Sequence, residues 1–122
     1  MPKQMSMLLR CDGLAELVGL VVLYALTGAS WWLFAGLFLV PDIGMLGYLA
    51  GPRVGAVTYN ALHLLAPPVA LGLAALASGW GLGVSVALVW AAHIQFDRAA
   101  GYGLKYATAF ADTHLGRIGQ AA

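Results

Sequence analysis

The chain has 122 residues, room for one domain, with 61% apolar and 9% charged residues, where a soluble domain carries roughly 45–50% and about 25%. That double departure places it in the membrane class. A net charge of +1 excludes a polybasic docking surface or a basic stripe for nucleic acid, and the single Cys11 excludes an internal disulfide.

Four apolar stretches follow one another. The first, 14–28, comes after Lys3, Arg10 and Asp12 and is short against the roughly 17–20 residues a bilayer core requires. It reads either as a short helix of its own or as the first half of one helix over 14–40. A cleaved leader ending near Ala25 or Ala29 would leave Trp31-Trp32 as an odd start and three more apolar stretches behind it. The second stretch, 31–50, holds Pro41 and Asp42, and the third, 54–77, holds His63 and the pair Pro67-Pro68. These prolines should bend their helices. The fourth, 82–98, is unbroken until it runs into His93 and Asp97. Gly47, Gly51 and Gly55 recur every four residues, a stripe that lets helices approach closely in lipid. Pro52 interrupts it, which assigns the glycines to a tight turn. Beyond Gly103 the chain turns polar, as a tail 104–122 outside the membrane.

Charge placement favours four spans. Lys3 and Arg10, the Arg53 turn, and Arg98, Lys105 and Arg117 then share one side. The turns at 27–30 and 78–81 carry no charge, and Trp31, Trp32 and Trp80 lie beside them, where an aromatic belt belongs. The expected fold is an all-α bundle of four short transmembrane helices with both termini cytoplasmic. Short connections make sequential helices antiparallel neighbours.

Asp42 lies eleven residues before Arg53 and His63 ten after it, so in a hairpin both sit roughly 15 Å from that turn, level with each other. His93 reaches similar depth if the fourth helix continues past Gly101, and is shallower by a turn or two if it ends at Arg98. His93 and Asp97 share a helix face at i, i+4, as do Asn60 and His63 at i, i+3. Tyr24, Tyr48 and Tyr59 add hydroxyls. Three readings of this constellation stay open. Asp42, His63, His93 and Asp97 suit a divalent metal such as zinc, although no strong ligand signature such as His-Glu-x-x-His is present. Without metal, an acid can orient a His that acts as base. The groups can also lock helices together. An acid at the bilayer centre costs roughly 2.5–3.5 kcal/mol, whereas an interhelical hydrogen bond returns around 0.6 kcal/mol. That imbalance favours function for Asp42. Asp97 has an alternative at the interface, pairing with Arg98 or Lys105. Asp112 and His114 read as parts of a solvated tail.

Glu16, in Leu14-Ala15-Glu16-Leu17-Val18-Gly19, is an acid in the first of four short helices, which resembles small multidrug resistance transporters. That likeness implies a dimer in which the acid binds cation or proton, but it covers few residues, and an interfacial Glu beside Arg10 is the simpler reading. A wider likeness is carried by Pro41-Asp42-Ile43-Gly44-Met45-Leu46-Gly47-Tyr48, Gly51-Pro52-Arg53-Val54-Gly55, Tyr59-Asn60-Ala61-Leu62-His63, the run from His93 through Gly103 to Tyr106, and Phe110-Ala111-Asp112-Thr113-His114-Leu115-Gly116. Together they resemble a bacterial family known as domain of unknown function 4260. One departure is Gly44, where that family's pattern has Ser. The resemblance implies an integral membrane protein and brings no activity, cofactor or partner.

The expectation is a single multi-pass domain in a bacterial inner membrane, with a polar cluster open toward the cytoplasm. Its function reads as a membrane-embedded hydrolase, metal-dependent or acid–base, acting on a lipid-like substrate. The alternative is a small dimeric transporter or an accessory or structural subunit of a membrane complex. The partners expected are the lipid bilayer and a second copy, since four short helices offer little to bury a polar cluster, and no nucleic acid.

Overall fold

A computed structural model describes residues 2–106 and 111–118. Its elements are α1 (Lys3–Thr27), α2 (Trp31–Leu37), a 3-10 helix (Val40–Ala50), α3 (Pro52–His63), α4 (Ala66–Ser78), α5 (Gly81–Ala100) and a hairpin of two-residue strands, β1 (Asp112–Thr113) and β2 (Gly116–Arg117). Helix dominates, as expected. The helices form four rods: α1, α2 with the 3-10 helix, α3 with α4, and α5.

The first two rods are separate. Gly28, at φ 73°, ends α1 in the left-handed conformation that glycine adopts without cost. The Ser30 side chain then accepts the Trp32 N–H at 3.1 Å and starts α2. One helix over 14–40 is therefore not formed. The start of α1 lies eleven residues ahead of the expected boundary at Leu14. Nothing in 3–13 breaks a helix except Gly13, and there the missing Cβ lets α1 lie against Arg98 and Ala99 of α5.

The second and third rods are broken near their middles. α2 stops at Leu37 and the chain tightens into eleven residues of 3-10 helix with Pro41 in its first turn. Such a run is long for this geometry. In the third rod, Pro67 and Pro68 occupy the first turn of α4. Neither can donate to the carbonyls of His63 and Leu64, so α3 ends at His63. α5 supplies a donor to His63 and to the residue before it. Trp90 Nε1 donates to the Leu62 carbonyl at 2.7 Å, and Arg98 donates to the His63 carbonyl at 2.8 Å. The expected Pro67-Pro68 bend is thus a full interruption, placed immediately after His63.

Between these rods Gly51, at φ 118°, makes the turn into Pro52. Gly44 and Gly47 lie against Thr58, and Gly55 against the Tyr48 ring, so closely that a Cβ at any of the three would collide. Thr58 Oγ1 donates to the Gly44 carbonyl at 2.6 Å. The turn reading of the glycine stripe therefore holds for Gly51 alone; its neighbours bring the 3-10 helix and α3 together.

α5 is the core. Ten of its residues are buried, against two in α1 and none in α2. It packs on α1 and α4, while α3 packs on the 3-10 helix. α1 runs antiparallel to it, with Arg10 Nε donating to the Ala99 carbonyl at 3.1 Å and Gln95 donating to Glu16. Glu16 thus faces Gln95, not the Arg10 expected from the sequence. The chain beyond Gly103 folds back as a cap instead of trailing into solvent. Lys105 bridges to Thr113, the Leu104 N–H donates to His114 Nδ1 at 2.8 Å, and the Ser6 hydroxyl donates to the Leu115 carbonyl at 3.0 Å. The start of α1 and the tail therefore lie at one end of the bundle. Asp112 has its side chain outside the described part.

Two of the helical stretches, Trp31–Ala50 and Pro52–Ser78, are long and apolar enough to cross a membrane. Among the described residues α1 and α5 do not reach that threshold; α1 carries Arg10, Asp12 and Glu16, and α5 carries His93, Gln95, Asp97 and Arg98.

Candidate metal centre

The two breaks and the one unbroken helix deliver four side chains to one point. Asp42 comes from the first turn of the 3-10 helix and His63 from the last residue of α3. His93 and Asp97 project from successive turns of α5. His63 Nε2 lies 3.1 Å from His93 Nε2, 3.3 Å from Asp42 Oδ1 and 3.2 Å from Asp97 Oδ2. His93 Nε2 lies 3.1 Å from Asp42 Oδ1 and 3.4 Å from Asp97 Oδ2. One ligand atom from each of the four residues falls within 4.8 Å of all the others. A tetrahedral ion with bonds of about 2.0–2.1 Å has ligand–ligand edges of about 3.3–3.4 Å. Five of the six edges are therefore close to those of a zinc-sized tetrahedron.

His63 is oriented for this role. Its Nδ1 is 2.8 Å from the Tyr59 carbonyl, which can only accept, so Nδ1 carries the proton and Nε2 presents its lone pair to the cluster. The Tyr59 ring stacks on the imidazole with centroids 3.8 Å apart, and its hydroxyl donates to Asp97 Oδ2 at 3.3 Å. Phe38 meets His93 edge-on at 5.3 Å. His93 Nδ1 is buried without a hydrogen-bond partner among the described residues. With both imidazoles neutral the four groups carry a formal charge of −2. That set can hold a divalent cation, or it can share protons between the imidazoles and carboxylates.

Access is uneven. The side chains of His63, His93 and Asp97 are 0%, 2% and 10% exposed, whereas that of Asp42 is 30% exposed. Asp42 is the open corner. The tail packs against α3 at Tyr59 and Asn60. Asn60 clamps the Lys105 backbone through bonds of 2.6 and 2.8 Å, and Lys105 Nζ sits 4.7 Å from the Tyr59 ring centroid. Burial pushes that ammonium down to about 8, with Asp97 opposing the shift.

The four residues singled out in the sequence are thus together, although α5 ends at Ala100. The depth condition placed on His93 was unnecessary, because the chain after Gly101 runs beside α3 and brings Lys105 level with Asn60. Arg98 serves the carbonyls of His63 and Tyr102. Of the three tyrosines only Tyr59 reaches the cluster; Tyr24 donates to the Ser30 carbonyl and Tyr48 covers Gly55. Three of the four side chains are buried inside one chain, and Asp42 is not. Sequence reasoning missed Arg98 as the substitute donor to the His63 carbonyl, with Trp90 serving the neighbouring Leu62 carbonyl. Pro67-Pro68 was the signal, since two adjacent prolines orphan the carbonyls four residues upstream.

No curated protein and no solved structure matches the chain. A family model described as Domain of unknown function (DUF4260) matches residues 6–118, nearly all of the described bundle and the hairpin that caps it, and the chain belongs to that family.

Proposed function

We propose that this is a four-span membrane protein of the bacterial plasma membrane with both termini cytoplasmic, and that Asp42, His63, His93 and Asp97 bind a divalent metal, zinc by ligand type and geometry. The observation that carries the metal reading is the near-tetrahedral set of ligand-atom separations around a buried point of formal charge −2. The membrane reading is supported by the two apolar stretches, of which only 11% and 17% is buried inside the bundle. The core helix of a soluble protein would be mostly buried. Lys3, Arg10, Arg53, Arg98 and Lys105 share one side in this reading, and the positive side is taken as the cytoplasmic one.

The chemistry favoured is hydrolysis. Three buried candidate ligands and one exposed carboxylate would leave a bound ion one corner open to solvent, and the chemistry such an ion would supply there is activation of water. His63, His93 and Asp97 would hold the ion, Tyr59 would fix the Asp97 carboxylate, and Asp42 would open the fourth position. An amphipathic substrate fits a site that lies within the span of the bilayer. The alternative reading is a small dimeric transporter or an accessory subunit of a membrane complex. Zinc content of the purified protein, measured after dialysis against apo buffer and then zinc-containing buffer, tests the proposal. One ion per chain that is lost in His63→Ala supports it. Zinc bound equally by wild type and His63→Ala would refute the assignment.

A further inference from the structure

Beside the four ligands lies a cavity of about 270 Å³. Pro41, Leu62, Val86 and Trp90 form its walls, and Val40 and Ile43 stand at its rim. Its position is set by the ligands' own neighbours. Pro41 and Ile43 flank Asp42, Leu62 precedes His63, and Trp90 is one helical turn from His93. Its lining offers no donor to water: the one indole N–H there is committed to the Leu62 carbonyl at 2.7 Å. A buried water needs two to four polar partners, so this space is not built for water. Val40 and Ile43 are 50% and 60% exposed. The cavity therefore opens on the outward face of the Trp31–Ala50 stretch, the face that meets hydrocarbon in the reading above. Asp42, the exposed corner of the cluster, lies in the chain between two of the lining residues, Pro41 and Ile43.

We infer that this cavity is a binding site for the alkyl chain of an amphipathic molecule, seated so that its polar end reaches the metal at the Asp42 corner. The inference rests on the metal reading for the polar end only; the chain site stands on the cavity itself. It assigns the substrate class of the centre: a single-chain amphiphile entering sideways from the bilayer between the 3-10 helix and α5. The 3-10 helix supplies both the rim and the exchangeable ligand, so occupancy of the cavity and opening of the fourth metal position involve the same segment.

The test uses the full chain in phospholipid nanodiscs and palmitic acid carrying a terminal diazirine. Adducts are mapped by mass spectrometry, and metal is measured in the same samples. Labelling of Leu62, Val86 or Trp90 that saturates, is competed by unlabelled palmitate, and is lost in Val86→Trp with metal retained is the expected result. Ile43→Trp, at the exposed rim, repeats the block if Val86→Trp does not fold. Labelling that does not saturate, or that spreads over outward residues such as Leu26 and Leu49, overturns the chain site. Metal without saturable labelling also overturns it and leaves the metal reading standing, whereas saturable labelling without metal overturns the metal reading and keeps the chain site. In the cobalt-substituted protein, palmitate should shift the visible spectrum. An unchanged spectrum at saturation overturns the placement of the polar end.

Discussion

α5 and the α3–α4 rod carry one histidine each into the same cluster by opposite means. α5 is a single uninterrupted helix, so the spacing of the ligands proposed on it is set by helix geometry: His93 and Asp97 fall on one face because they are four apart. The α3–α4 rod is interrupted at the ligand. His63 is the last helical residue, and its carbonyl is held by Arg98 of α5 instead of by the next turn. The second rod repeats the pattern, with Asp42 in a 3-10 segment that begins at a break. Unbroken helix gives pairs of ligands at fixed spacing. Broken helix gives single ligands whose aim depends on what caps the break. In the membrane reading proposed above, irregular backbone is tolerated where it is buried in protein or lines a cavity, and both breaks lie beside the cluster.

Removing a ligand breaks the comparison most severely. His93→Ala and Asp97→Ala should each abolish stoichiometric metal binding, a loss exceeding the roughly 100-fold that the removal of a supporting hydrogen bond can reach. The double variant should cost little more than either single one, because ligands of one ion act as a unit. Metal titration of the two singles and the double checks this. Additive stability losses with unchanged metal content would instead mark an ordinary packing pair.

Restoring continuity to the broken rod comes next. In Pro67→Ala/Pro68→Ala the two missing N–H groups return, and the helix can run straight through Leu64 and Leu65. His63 then leaves its position, and metal affinity should fall although no ligand has been touched. Circular dichroism should show helix retained or increased, and metal titration reads the loss.

The caps of the break have a smaller effect. Arg98→Met leaves the His63 carbonyl without its donor, and Trp90→Phe does the same for Leu62. Each should cost about 1–3 kcal/mol, the penalty of a buried acceptor left unpaired, read as a lower thermal midpoint. Tyr59→Phe removes the bond to Asp97 and should weaken metal binding by about 10–100-fold with less effect on folding.

The smallest effect concerns the tail. Burial pushes the His114 imidazole down, with Arg98 adding to the shift, and its Nδ1 must stay unprotonated to accept the Leu104 N–H. A base whose folded pKa lies below its unfolded value contributes stability in full above about pH 6.5 and loses it as pH falls further. The melting temperature of the wild type should therefore drop more between pH 7.5 and 5.5 than that of His114→Phe. An equal drop would detach the tail cap from this histidine.

The apolar stretches and their turns were legible in the sequence because the signals are local: runs of apolar residues, the short polar turns at 27–30 and 78–81, and Gly51-Pro52 with Arg53 behind it. The cluster was legible for a different reason. Ionisable groups inside apolar stretches are costly, and the count of residues from Arg53 set Asp42 and His63 at one level. What stayed hidden depends on tertiary contact. The 3-10 conformation of 40–50 follows from the fit of Gly44 and Gly47 against Thr58, which no periodicity reports. Glu16 and Gln95 lie 79 residues apart and meet only once α1 has packed on α5. The tail's return could not be read from its polar composition, since backbone pairing and the clamp by Asn60 hold it.

The most direct test of a tetrahedral centre built from broken and unbroken helices is X-ray absorption spectroscopy of the zinc-loaded protein. One zinc per chain, with four nitrogen or oxygen neighbours at about 2.0–2.1 Å and imidazole scattering from two histidines, is the expected spectrum, and His63→Ala should retain no stoichiometric zinc to give it. A zinc site coordinated by sulfur, or a wild-type spectrum unchanged by His63→Ala, would contradict it.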